Sequence, residues 1–313
     1  MTRAETLEQE SRWALPVAIA TLLAVALIIA SGFVNSVSGD GGAEILRSVE
    51  ENKGSATLSG LMQALAFALL VLPLVYLFRA ARARSERVRG QLIGLVVVAP
   101  LFLALSAGLA PLAQQEAADE FVAGEVKPAL TRAEAKDECS EERDDLGEED
   151  FAEEFDPEKG ETAAAACEDR KLEDDAASEA RTDASLAPVA TGLGLAGALG
   201  FVVALFYTCL WAMRTGLLTR FWGSLGMALG IATLLGLLPF LLIWLLYVAF
   251  MFLGLVPGGK PPAWERGEAV PWPTPGEKAA AELEPEDGWD EADGEGPPEG
   301  EGGAPKRKRK QRE

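Results

Sequence analysis

Five apolar stretches divide this chain, and none contains an Asp, Glu, Lys or Arg: Ala14–Val34, Thr57–Phe78, Gln91–Ala113, Leu186–Met213 and Phe221–Val256. At about 1.5 Å of rise per residue, each is long enough as a helix to cross a hydrocarbon layer of about 30 Å. Lipid offers no partner to a bare backbone amide, so a spanning segment must satisfy its own hydrogen bonds, and a helix does so. The pattern predicts an all-α, polytopic membrane protein.

The last stretch is the exception in length. It holds 36 residues, which as one helix would reach about 54 Å. Gly236 and Pro239 sit at its centre, and proline disfavours helix in the residue before it. Two helices joined by a tight turn, about Phe221–Leu237 and Pro239–Val256, satisfy both constraints and bring the expected total to six transmembrane helices. One tilted, kinked span is the alternative, and it would move the C-terminus to the other side.

The formal net charge of −20 is unevenly distributed. Gln114–Ala187 carries 26 acids and 8 bases, and the chain from Gly258 onward carries 14 acids and 9 bases; the remainder is mildly basic, with 8 acids and 11 bases. The acidity therefore belongs to one loop and one tail, not to a surface that would meet nucleic acid. Four regions follow: residues 1–113, an N-terminal segment with three spans; 114–185, a long acidic loop; 186–257, three more spans; and 258–313, a tail.

Lys and Arg near span ends stay in the cytoplasm. Arg79, Arg82, Arg84, Arg87 and Arg89 place five arginines in eleven residues, so that loop is expected inside as topogenic or lipid-headgroup residues. Arg3 and Arg12, Arg214 and Arg220, and Lys306–Lys310 then fall inside as well, while Asn35–Ala56 and the acidic loop fall outside. The location expected is the plasma membrane, with both termini cytoplasmic. Trp13, Tyr76, Trp211 and Trp222 agree, lying at the cytoplasmic span ends where aromatic belts form; Trp244 and Tyr247 fit less well. The first apolar run exceeds the about 7–15 residues of a signal-peptide core and reads as an uncleaved signal-anchor.

The acidic loop is rich in Ala, Glu and Asp and poor in Leu, Ile, Val and aromatics. Such a composition predicts no compact domain, because too little apolar area is available to offset chain ordering. Leu130–Asp145 and Glu161–Ala180 are good helix formers, so helical pieces with flexible joints are expected. A solvated acidic face, or a protein partner bound through it, is the reading of the acids. A calcium loop is excluded because Leu146 occupies a ligand position. Cys139 and Cys167 share the oxidising side, 28 positions apart, where a disulfide or two free thiols are the two states to distinguish. Beyond Pro257, Pro, Gly and Glu dominate and predict a disordered tail, with Trp264 and Trp272 at the membrane surface.

Histidine is absent, and no CxxC, G-x-S-x-G, H-E-x-x-H or phosphate-loop motif occurs. The spans hold no ionisable residue, the usual pointer to a transport path. No catalytic, cofactor or metal residue is nominated, and no enzyme is expected. What the spans do hold is small residues at helical spacing: Gly226 with Gly230, and Gly192, Ala196 and Gly200 at i, i+4, i+8. Helices in lipid associate through such faces, either within one bundle or between copies in a homo-oligomer.

The stretch Ala212-Met-Arg214-Thr-Gly-Leu-Leu-Thr-Arg220-Phe-Trp-Gly-Ser-Leu-Gly226, with Pro261-Pro-Ala-Trp264 and Pro271-Trp-Pro-Thr-Pro275, resembles a family of uncharacterised actinobacterial multi-span membrane proteins carrying a domain of unknown function. In those a short basic turn precedes a Gly-rich span. The resemblance implies a multi-span fold and a membrane location, and no activity, since the family has none assigned. A structural, envelope or interaction component of the bilayer is the expected function. A transporter using Pro-broken spans and Gln63, Tyr207 and Thr208 is the alternative.

Overall fold

The computed structural model describes residues 3–155 and 162–272. Among the described residues every regular element is helical, and the α-helices run α1 (Arg3–Val34), α2 (Gly42–Glu51), α3 (Lys53–Arg84), α4 (Ile93–Val122), α5 (Arg132–Leu146), α6 (Glu148–Glu154), α7 (Ala163–Asp183), α8 (Ala187–Arg214), α9 (Arg220–Ala232), α10 (Leu238–Leu253) and α11 (Pro262–Arg266). Four are long and apolar enough to cross a membrane: α1, α3, α4 with the turn at Gly90 before it, and α8. The apolar helices α9 and α10 are shorter.

These six apolar helices close into a ring. α1 packs on α3 and α10, α4 joins α3 to α8, and α9 links α8 to α10; α3 also meets α8. Ala18, Ala24, Ala66, Ala99, Gly197 and Ala204 are buried in the ring, whereas Leu15, Ile19, Leu23, Leu195, Leu199 and Val203 face outward. Leu70, Leu74, Leu205 and Trp244 are buried there too, but the share of small residues inside and leucines outside is high for a physical reason. Lipid tails are as apolar as leucine, so hiding leucine gains little, while small side chains let backbones approach closely. The ring of Pro111 and the carbonyl of Ala107 on α4 lie against Gly60 of α3. A Cβ at Gly197 would stand 2.8 Å from the Leu103 nitrogen, and one at Gly200 2.9 Å from Ala99 Cβ.

The α8 face that packs is not the expected Gly192–Ala196–Gly200 row. Gly192 has open space around it and Ala196 is exposed; only Gly200 makes contact. A strict four-residue step drifts by about 40° each time on a 3.6-residue helix. The buried stripe instead runs Gly197, Phe201, Ala204, Thr208 in alternating steps of four and three.

Gly226 and Gly230 pack inside the chain. A Cβ at Gly226 would lie 2.7 Å from Cys209 Sγ on α8 and 2.8 Å from the Trp244 ring on α10; at Gly230 the neighbour is Leu205, 3.3 Å away. Trp244 is buried and its Nε1 donates to the Trp222 carbonyl at 2.9 Å, while Trp222 stacks on Tyr247 with centroids 3.6 Å apart. Here lies the reason these two aromatics fit an interfacial belt poorly: both are occupied in locking α10 to α9. The turn between them uses Gly236 in the left-handed region (φ +76°) and Pro239 in the first turn of α10, its tip lying beside Ile28, Ile29 and Phe33 of α1. Glycine adopts that φ without the steric cost a Cβ would bring.

Helices α2 and α5–α7 gather at what we term the acidic end, and they pack more closely than composition predicted. Leu46 and Val49 of α2 are fully buried against Ala117 and Ala118 of α4 and Ala177 and Ala180 of α7. The Asp174 carboxylate accepts from the Ala43 amide at 2.9 Å, capping α2, and Arg181 donates to the Gly42 carbonyl. The acidic loop does not build this core from its own leucines. It supplies alanine faces, and the short segment between α1 and α3 supplies the large side chains. Helix α5 starts with a capping box between Thr131 and Glu134, and α7 with the Thr162 side chain as N-cap. Both helices match their expected positions to within about three residues, the ordinary scatter of helix ends.

Candidate functional site at the basic end

The opposite end carries the arginines, and the structure draws them together around one buried ion pair. Arg84, in the last turn of α3, has a side chain 0% exposed; Glu10 of α1 is 12% exposed. The guanidinium grips the carboxylate bidentately at 2.5 and 2.8 Å, and donates further to the carbonyls of Ala263 (3.1 and 2.9 Å) and Ala80 (2.9 Å). Its remaining face lies over the Trp264 ring at 5.4 Å. A buried charge is tolerable only when its donors are matched in this way, and removing one partner typically costs about 3–5 kcal/mol.

Around this pair the chain after α10 folds back instead of leaving. Trp264 stacks on Tyr76 (5.5 Å) and meets Phe252 edge-on (5.9 Å), and its Nε1 donates to the Leu217 carbonyl at 3.0 Å. The Tyr76 hydroxyl donates to the Glu10 carbonyl at 2.8 Å. Further on, the Val270 amide donates to Thr215, Trp272 Nε1 donates to Leu218, and Arg220 donates to the Trp272 carbonyl. Gly216, at φ +78°, lets the turn after α8 pass against the Val270 carbonyl, where a side chain would collide. Residues 258–272 thus form an ordered clasp rather than the start of a disordered tail. Trp264 is buried in protein, not spread on a membrane surface. The tail beyond Trp272, with the basic cluster Lys306–Lys310, lies outside the described residues.

The expected topogenic arginines divide into two kinds. Arg84 is an internal structural charge, which corrects its reading as a headgroup contact. Arg79, Arg82, Arg87 and Arg89 are exposed around it, and Arg214 and Arg220 border the clasp. The Arg89 amide donates to the Tyr207 hydroxyl at 2.9 Å, and Arg214 lies over Trp211. Beside the ion pair, α1 and α3 diverge to leave a groove of about 520 Å³ bounded by Trp13, Val17, Leu72, Val75, Arg79 and Arg82.

At the acidic end, Cys139 of α5 and Cys167 of α7 are joined by a disulfide, with Phe151 and Phe155 packed beside it. Arg47–Glu173, Lys53–Asp119 and Arg132–Asp169 are ion pairs on its partly exposed surface, where solvent screening leaves each little weight in stability. Among the described residues no group of three His, Cys, Asp or Glu side chains is placed to hold a metal. Of Gln63, Tyr207 and Thr208, Tyr207 holds the Arg89 loop, Thr208 is buried on α8 with its hydroxyl unpartnered among the described residues, and Gln63 is half-buried on α3.

Glu10 is the functional residue that sequence reasoning passed over. A signal was present: Glu10, Ala14 and Val17 follow i, i+4, i+7, and Ala14 and Val17 are both buried. A charge on the buried stripe of a span needs a partner. No protein-family model matches the chain, and neither the curated proteins nor the solved structures searched yield a match.

Proposed function

We propose that the chain is a six-span plasma-membrane protein of structural or interaction type, belonging with the actinobacterial multi-span family its basic turn resembles. The arginine-bearing end and the clasp face the cytoplasm, and the acidic helices form a head outside the cell. The α9–α10 hairpin counts as two short spans, because its tip lies beside Ile28 and Phe33, near the far end of α1. The observation carrying this reading is the head itself. It is folded, disulfide-closed and densely acidic, joined to the membrane through α4 and α8. Such a unit suits presentation of a charged face to a protein partner better than catalysis.

Sidedness is tested with an impermeant maleimide on sealed cells. Ser140→Cys on the exposed face of α5 is expected to label at once, and Glu86→Cys beside the arginines only after lysis. Arg84 is too deeply buried to serve as the probe. The interaction is tested by photocrosslinking from Ser140 in intact cells. A discrete adduct that disappears when Glu141, Asp144 and Asp145 become amides supports the reading; adducts indifferent to those charges refute it.

A further inference from the structure

The groove between α1 and α3 is an amphipathic cavity at the boundary between apolar span and arginine loop. We propose that it is a binding site for an anionic phospholipid, a reading that rests on the chain being a membrane protein. Its volume of about 520 Å³ falls in the range of small-ligand sites, about 300–1,000 Å³. The floor is apolar, made by Val17 of α1 with Leu72 and Val75 of α3. Trp13 forms one wall and is itself exposed. At the mouth stand Arg79 and Arg82, both exposed, and neither is paired with a carboxylate among the described residues; the Arg82 guanidinium rests against Gly90, between this groove and a smaller recess on the arginine loop.

The gap exists because α3 presents Ala80 and Ala83 where larger side chains would close it, while Tyr76 is turned toward the Glu10 carbonyl. Of the acids nearby, Glu10 is paired with Arg84 and Glu8 with Arg12, Glu5 is itself engaged, and Glu86 lines the separate recess beside Arg82, not the groove. The mouth is therefore electropositive, the floor is a slot suited to an acyl chain, and the two meet at the level where a phosphodiester sits. Basic pockets between transmembrane helices on the cytoplasmic side recognise anionic headgroups in this manner. Charge complementarity selects the occupant: a zwitterionic lipid fills the slot but leaves the arginines without a net counter-charge.

The test is a lipid titration of the purified, delipidated full chain in neutral detergent, read by native mass spectrometry, with phosphatidylglycerol, phosphatidylcholine and inorganic phosphate as probes. Two arginines at about 1 kcal/mol each predict about 30-fold preference for phosphatidylglycerol over phosphatidylcholine. R79Q/R82Q is expected to bring the two lipids level, W13A to weaken both alike, and R87Q/R89Q, on the same loop but off the groove, to change nothing. All these side chains are exposed, and unaltered thermal melting of each variant establishes that it folds. Equal retention of the two lipids by the unmodified protein would overturn the proposal. So would an R87Q/R89Q loss matching that of R79Q/R82Q, which would indicate a diffuse basic loop. Phosphate alone binding as tightly as phosphatidylglycerol, or lipid binding only after removal of residues 273–313, would overturn it too, the latter by assigning the groove to the chain's own tail. The titration has no sidedness, so a maleimide result that inverted the topology would leave this outcome independent.

Discussion

Gly226→Ala isolates the packing logic of the ring in one methyl group. The added carbon would stand 2.7 Å from Cys209 Sγ and 2.8 Å from both Cε2 and Nε1 of Trp244, against about 3.5–4.0 Å for comfortable carbon contact. Neither neighbour yields readily. The Trp244 indole is held by its hydrogen bond to the Trp222 carbonyl, and Trp222 is fixed by its stack on Tyr247. Overpacking of a filled core costs about 1–3 kcal/mol, and relief of glycine's helical penalty returns about 0.8–1 kcal/mol. The net expectation is a loss of up to about 2 kcal/mol. Gly192→Ala is chemically the same change on a neighbouring helix, but nothing lies within 4 Å of its Cβ. It should gain about 0.5–1 kcal/mol. Reversible unfolding in mixed micelles by dodecyl sulfate titration, followed by tryptophan emission, measures both. If the two alanine variants shift the midpoint in the same direction, the GxxxG face is not the internal contact described.

Arg84→Met is expected to lose about 3–5 kcal/mol in the same titration, with Arg84→Met/Glu10→Gln recovering part of it, and to expose Arg266 to trypsin as the clasp loosens; an intact clasp would contradict the role given to the pair. Cys139→Ser/Cys167→Ser is expected to cost the acidic head about 3–4 kcal/mol on the chain-entropy account of its 28-residue separation. Circular dichroism should then show the head helices melting before the apolar ring, and coincident transitions would refute their independence. The Glu134 carboxyl is held below the ordinary glutamate value by hydrogen bonds from the Thr131 side chain and amide. A depressed folded-state pKa stabilises above the unfolded value and loses that contribution as pH falls through the folded one. Hydrogen exchange at the first turn of α5 should therefore accelerate as pH is lowered through that window, after correction for intrinsic rates, and Glu134→Gln should abolish the dependence.

The apolar ring was legible because its signal is an exclusion: uncharged runs longer than a bilayer is thick have few other places to go. Charge-poor length located α1, α3, α4 and α8, and Gly236 with Pro239 located the turn into α10. The helices of the acidic loop were legible for a local reason, since Ala, Glu, Lys and Arg favour helix wherever they stand. What composition misjudged was their packing. The loop is poor in large apolar residues and gathers Phe151 and Phe155 at its disulfide, while Leu46 and Val49 arrive from a segment some 70 to 130 positions away in the chain. Window averages see no such pairing. Arg84 was misread for a related reason: counting arginines near a span end treats them as equivalent, although one of the five turns inward to Glu10.

The two ends differ from the middle in the force that holds them. Between helices in lipid there is no hydrophobic drive, and the small-residue contacts of the ring supply dispersion and little directional preference. Where the chain meets water that drive returns. Among the large buried side chains at the ends are those of Leu46, Val49 and Trp264, each carried by an element outside the long spans. Each contributes on the order of 1.5–3 kcal/mol by leaving water, and each ties together helices distant in sequence: α2 with α4 and α7, the clasp with α1, α3 and the turn after α8. The order of helices around the ring is therefore specified largely from its ends. Substitutions in the middle should shift stability by graded amounts, whereas loss of Trp264 or Leu46 should permit alternative helix pairings that middle substitutions do not.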